Sequence, residues 1–177
     1  MMYIIFFVII LFLIYVFITY NKFVSRKNKI KQAASGIEVY LTQRFDLIPN
    51  LVECVKSYME FETNTFTEIT KLRTNYMQNK NLKDGEILNN KFNKIITMTE
   101  NYPELKTSEN FLNLQRNLQK TESQLQAARR LYNIEVNVYN NLVKMFPSNI
   151  LADFFGFKED QFFQADEEAK TNINLNM

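Results

Sequence analysis

The chain has 177 residues, with 21 basic and 19 acidic side chains, one cysteine and no histidine. The missing histidine excludes His-dependent triads, His-bearing zinc sites and the Glu-x-x-His di-iron centres of helical bundles, and a lone Cys54 excludes an internal disulfide. Setting aside the five cations between Lys22 and Lys31 leaves 16 basic against 19 acidic residues, net −3, so the rest is a mildly acidic, mixed-charge body with no basic patch for nucleic acid.

Met2 to Tyr20 contains no charged residue, and only Thr19 and three tyrosines carry polar atoms. Nineteen residues at helical rise span roughly 28 Å, close to the roughly 30 Å hydrocarbon core of a bilayer. A core helix of a soluble protein would show a polar stripe, and this run has none. A cleaved signal peptide would want a basic residue before a shorter apolar run and a small-x-small site after it. Here the run is followed by bulky and basic residues, which predicts an uncleaved transmembrane anchor over 1–20. Lys22, Arg26, Lys27, Lys29 and Lys31 form a juxtamembrane segment over 21–31, expected to lie against anionic headgroups. The positive-inside rule then puts the N-terminus outside and the remainder in the cytoplasm.

Only three glycines and three prolines interrupt a chain rich in helix formers. The expected fold is all-α: an elongated antiparallel bundle of long helices over 32–146, behind the single N-terminal membrane helix. Residues 47–77 carry apolar side chains at helical spacing, including Ile48, Leu51, Val55, Ile69 and Tyr76. Asp46 is a candidate N-cap with Pro49 in the first turn. One helix running from the membrane through a kink at Pro49 reads equally well, and the periodicity does not separate the two. Asn79 to Gly85 reads as a polar turn, and Glu86 to Asn101 as a shorter helix closed by Pro103. From Phe111 a 3-4 stripe runs through Leu114, Leu118, Leu125, Ala128, Tyr132, Tyr139, Leu142 and Phe146, with Thr107 or Ser108 as cap. A second line, Leu131, Ile134, Val138 and Met145, is expected to widen the buried face. The tail over 147–177 is phenylalanine-rich and is expected to pack on the bundle. Phe154, Phe155, Phe157, Phe162 and Phe163 are its candidate partner- or lipid-binding patch.

Six stretches then come together: RFDLIPNLVECVKSYMEFE (44–62), ENYPELKTSENFLNLQ (100–115), TESQLQAARRLYN (121–133), VYN (138–140), FPSN (146–149) and FGFKEDQFF (155–163). In order and spacing they resemble the LemA family. The resemblance implies a bacterial cell-membrane protein with a short outside terminus and a cytoplasmic helical bundle, and it implies no particular reaction. Family members commonly carry a histidine before the position matching Glu62, and here that place is Phe61. A histidine-dependent chemistry in relatives would therefore be missing from this chain.

The polar residues matching the motif are Arg44, Asp46, Asn50, Glu53, Lys56, Glu62, Glu122, Arg129, Tyr132, Asn133, Tyr139 and Asn140. The bland reading makes them a structural network, with Arg44 or Arg129 pairing Asp46, Glu62 or Glu122 across helices to fix register. The sharper reading is a carboxylate cleft for a divalent ion or polar ligand, built on Glu62, Glu122 and Arg129. The leading expectation is a non-enzymatic membrane-anchored scaffold, with no catalytic residue, metal or cofactor, protein partners of unstated identity, and self-association left open. The rivals are a membrane-tethered enzyme or metal-binding protein, and a lipid-binding role for the tail.

Overall fold

The computed structural model describes residues 1–56 and 63–163, with the backbone alone for 63–66. The described residues form seven helices: α1 (Met2–Phe45), α2 (Ile48–Lys56), α3 (Thr63–Asn79), α4 (Leu82–Thr99), α5 (Pro103–Thr107), α6 (Glu109–Lys144) and α7 (Ser148–Phe155). No strand occurs among them, and the fold is all-α as the scarcity of helix breakers predicts. The chain divides into two compact units, one of 1–34 with 129–177 and one of 35–128.

In the unit of 35–128, the core is built from one-sided stripes: Ile37, Leu41 and Phe45 of α1, Ile48, Leu51 and Val55 of α2, Leu88, Phe92 and Ile95 of α4, and Phe111, Leu114 and Leu118 of α6. Helices this narrow-striped are marginal alone in water, so their mutual burial holds them. Pro49 marks a kink. Only Asp46 and Leu47 separate α1 from α2, and the helical hydrogen bonding runs into the break from both sides, Asp46 N to Thr42 O and Leu51 N to Leu47 O. Proline has no N–H for the carbonyl four residues back, which is Phe45 O. Arg73 of α3 supplies the donor instead, its Nε lying 2.8 Å from Phe45 O while its Nη2 reaches Asp46 at 3.0 Å. Asp46 is thus an ion-pair partner rather than the expected N-cap, because α2 starts two residues later.

The expected polar turn is shorter than its composition suggested. Only Lys80 and Asn81 separate α3 from α4. Lys80 takes a left-handed backbone, φ 49°, and Asn81 caps α4 by accepting from Lys83 N at 2.9 Å. Gly85 is therefore inside a helix. It is there because α4 passes close to its neighbours: a Cβ at this position would meet the Tyr76 ring at 2.8 Å and Leu41 at 3.0 Å. Tyr76 is fully buried edge-on to Phe45, at 5.0 Å and 87°, with its hydroxyl donating to Glu38 O at 3.3 Å. Burial pushes its phenol pKa upward. Pro103 does not close α4, which ends at Thr99, but opens α5 at the position where its missing N–H costs least.

In the unit of 1–34 with 129–177, the core is Phe23 and Ile30 of α1, Val136 and Tyr139 of α6, and Leu151 and Ala152 of α7. Tyr15, Val16, Leu142 and Phe157 pack against it. The second line of α6 is not buried as expected: Leu131, Ile134 and Met145 are exposed, and so is Phe146 at the end of the first line. The α6 stripe turns through Val136, which moves the buried face away from them. A cis Phe146–Pro147 bond leads into α7. Ser148 is buried, its Oγ 2.7 Å from Leu142 O and 2.9 Å from Met145 O, where its proton caps carbonyls that end α6. Gly156 ends α7 in a left-handed conformation, φ 73°, that admits glycine without strain, and Phe157 N then bonds Ala152 O at 2.9 Å.

The two helical glycines should respond to alanine in opposite directions. Gly36→Ala, with nothing within 4 Å of the new methyl group, should raise stability by about 0.5–1 kcal/mol, the ordinary gain in a helix interior. Gly85→Ala should lower it by about 1–3 kcal/mol through overpacking against Tyr76 and Leu41. Urea unfolding of the detergent-solubilised chain, followed by circular dichroism, checks both.

Candidate functional site

In the unit of 35–128, Arg44 is the central polar residue. It is 4 % exposed, lies on α1, bonds Asn93 of α4 at 2.5 Å and forms an ion pair with Glu122 of α6. Its guanidinium lies over the Phe92 ring, 5.5 Å from the centroid. Glu122 also accepts from Gln126 at 2.6 Å, one helical turn on. A guanidinium this deep needs an anion and a planar apolar neighbour, and it has both. Glu122, 34 % exposed along its side chain, is thus engaged by both Arg44 and Gln126.

On α2, Asn50, Glu53 and Lys56 point outward. Asn50 and Glu53 line an open cleft of about 460 Å³ with Cys54, Asn113 and Asn117. Burial first, and the Glu53 charge second, push the Cys54 thiol pKa upward, which suppresses the nucleophilic thiolate. Glu62 and Phe61 lie outside the described residues. Among the described residues no three histidine, cysteine or acidic side chains converge as a metal site would require.

In the unit of 1–34 with 129–177, Arg129, Tyr132, Asn133 and Asn140 of the motif have one shared task. Asn133 donates from Nδ2 to Phe163 O at 3.0 Å and accepts from Phe163 N at 2.7 Å. Asn140 does the same with Asp160, both bonds at 2.9 Å. Each side-chain amide thus mimics one rung of a β-ladder and satisfies both backbone groups of one tail residue. The two asparagines are seven residues apart on α6, about 10.5 Å at helical rise. Asp160 and Phe163 are three residues apart in a non-helical segment, about 10 Å of extended backbone. The two spacings match, so the tail is pinned alongside α6 as a strap.

Other side chains reinforce the strap. Lys27 of α1 reaches Asp160 at 2.6 and 2.7 Å and lies 5.2 Å from the Tyr139 ring centroid. Tyr132 donates to Gln161 O at 3.2 Å and meets the Phe163 ring edge-on at 6.2 Å, while Arg129 lies 4.9 Å over that ring. Burial first, then the Asp160 charge, raise the phenol pKa of both Tyr132 and Tyr139. Arg129 thus meets the tail, and Tyr139 is a core residue.

The flank and the phenylalanines are likewise sorted by structure. Arg26 pairs with Glu135 at 3.6 Å and Lys27 with Asp160, whereas Lys22, Lys29 and Lys31 are exposed. Phe157 stacks on Phe23 at 4.7 Å, Phe155 meets Tyr20 edge-on at 5.0 Å, and Phe163 sits in the strap. Phe154 is 80 % exposed and Phe162 is 48 % exposed. The tail signal that composition could not resolve was the asparagine spacing: two residues one heptad apart on a helix, facing a pair three apart in the tail.

A family model described as the LemA family matches residues 33–176. The protein LemA of Metamycoplasma hominis is 25 % identical over 96 % of this chain and 83 % of its own length. The magnetosome protein MamQ 2 of Paramagnetospirillum magneticum is 22 % identical over 87 % of this chain and 68 % of its own. The magnetosome protein MamQ of Magnetospirillum gryphiswaldense is 21 % identical over the same shares.

Removing the anion from Arg44 should hurt more than removing Arg44. Glu122→Gln leaves a buried guanidinium without its counter-charge and should cost about 2–4 kcal/mol, while Arg44→Met leaves a carboxylate that water already reaches and should cost less. Denaturant melts of the two variants rank them. For the strap, Asn140→Asp removes the donor to Asp160 O and sets two carboxylates side by side, and Asn133→Ala removes both bonds to Phe163. Each should make the segment after Gly156 cleavable by a low dose of protease while the helical signal persists. The double variant should release it completely.

Proposed function

The chain belongs to the LemA family, and from that premise we propose that it is a non-enzymatic scaffold, held by one N-terminal membrane helix, whose helical body engages protein partners. The observation that carries this reading is the use made of the motif side chains. Arg44 and Glu122 face each other, and Arg129, Tyr132, Asn133 and Asn140 all meet the chain's own tail. Groups already engaged in pinning the fold are poorly available for substrate, and the half-buried Cys54 thiol has no histidine to activate it.

The anchor rests on a solvent argument. α1 is the one described helix long and apolar enough to cross a membrane. Met1 to Ile14 are all exposed, with phenylalanine, isoleucine, leucine and valine on every side. Lipid is the solvent that accepts such an exposed apolar run. The exposed Lys22, Lys29 and Lys31 directly after it support the orientation with the N-terminus outside and the body in the cytoplasm of a bacterial cell. Exposed Leu131 and Ile134 on α6 are the apolar side chains best placed to meet a partner or a second copy.

Three measurements test the reading. With Cys54→Ala as background, Tyr3→Cys should react with an impermeant maleimide on intact cells and Val39→Cys should react only after lysis. The reverse pattern overturns the orientation, and extraction by carbonate overturns the anchor. A photo-crosslinker placed at Leu131 or Ile134 should give one or a few discrete adducts in membranes. A body that yields no adduct at either position, to itself or to another protein, removes the scaffold reading.

A further inference from the structure

The mechanical connection between α7 and the membrane helix carries a second, lipid-facing site. Burial along α1 does not begin where the apolar run ends. Tyr15 and Val16 are already half-buried against the core of Phe23, Val136, Tyr139, Leu151 and Ala152, and Thr19 is 4 % exposed. The Tyr20 ring contacts both Phe155, at 5.0 Å, and Phe157, at 5.7 Å. Val136 and Tyr139 of α6 and Leu151, Ala152 and Phe155 of α7 therefore pack beside the last turns of the apolar run. From Tyr15 to Tyr20 is about 7.5 Å of helix axis, which equals the depth of about 5–10 Å to which interfacial helices settle between headgroups and acyl chains.

Next to these contacts, among the described residues, three large apolar side chains are exposed. Phe146 is 81 % exposed, Ile150 59 % and Phe154 80 %. Ile150 and Phe154 stand one helical turn apart on α7 and Phe146 lies in the turn that precedes it, while Ser148, Leu151 and Ala152 are buried. Asp153 borders the face and is exposed, as are Lys22 and Lys158 nearby in sequence to the contact residues. An acid at the margin suits the headgroup layer and not the hydrocarbon centre.

We propose that Phe146, Ile150 and Phe154 form a membrane-inserted wedge: α7 lies in the cytoplasmic interface of the same leaflet that α1 crosses, with lipid acyl chains as the occupant of this face. The inference rests on α1 being a membrane anchor, because the depth of α7 is set by what it packs against. The wedge makes the body a two-point attachment. One helix crosses, a second lies flat, and the shared core of Phe23, Leu151 and Ala152 fixes the angle between them. The strap pins the chain that leaves α7 back along α6, which keeps the short helix from peeling away.

The chain has no tryptophan, so a single one reports depth without background. Phe154→Trp, Phe146→Trp, Phe17→Trp and Val39→Trp would be placed, one each, in the full chain in phosphatidylcholine–phosphatidylglycerol vesicles. Part of the lipid would carry bromine high on the acyl chain. Phe154→Trp and Phe146→Trp should emit to the blue and lose at least about half their intensity to the brominated lipid, as an interfacial residue does. Val39→Trp should lose little. Quenching of Phe17→Trp with none at 154 or 146 overturns the wedge and leaves the anchor standing. No quenching at Phe17→Trp overturns both. A blue-shifted, unquenched Phe154→Trp whose emission changes with protein concentration assigns the face to a second copy and overturns the lipid occupant.

Discussion

A long helix with an apolar side needs something to cover that side, and α1 meets the requirement in two different solvents. Its residues up to Ile14 are all exposed, whereas from Tyr15 onward one face is covered. The covered positions then recur at Phe23, Ile30, Ala33, Ile37, Leu41 and Phe45, steps of three, four and seven. That stripe obliges the other helices to come to α1. The free energy at stake is large, because each fully buried phenylalanine, leucine or isoleucine contributes about 1.5–3 kcal/mol relative to exposure. Every polar device in the molecule works within the packing so produced.

Those polar devices share a logic, which is to supply a partner where the backbone or a charge lost one. Pro49 deprives the Phe45 carbonyl of its N–H, and Arg73 returns one. The burial of Arg44 removes its water, and Glu122, Asn93 and Phe92 replace it. The tail from Phe157 onward has no helix to satisfy its backbone, and Asn133 and Asn140 stand in for a neighbouring strand. In each case the deficit is closed by side chains far away in sequence. Arg44, Glu122, Asn133 and Asn140 of the family motif are thus engaged within the fold, whereas Asn50, Glu53 and Lys56 face outward.

The periodic parts of this architecture were open to reading residue by residue. Three glycines and three prolines in 177 residues force long helices, and the buried Leu114, Leu118, Leu125 and Tyr139 lie on the stripe their spacing draws. The places where reading failed are those where periodicity is silent. Leu131, Ile134 and Met145 are apolar at helical spacing yet exposed, because spacing defines a face and does not say whether anything packs on it. Gly85 looked like turn chemistry and is a close-packing residue, because its reason is the Tyr76 ring of another helix. Asp46 had the identity of a cap and the role of an ion-pair partner.

By itself, then, the order of residues determined the all-α class, the single charge-free helix and the family, since composition, breaker frequency and local spacing are properties that a chain carries before it folds. Tertiary structure decided that Pro49 is a kink, that Glu122 is engaged, and that residues 157–163 form a strap along α6. It also sorted six phenylalanines between core and solvent. Such outcomes depend on partners about 30 to 130 residues distant, and pairing across that separation is set by which surfaces the core brings together, a quantity no local pattern contains.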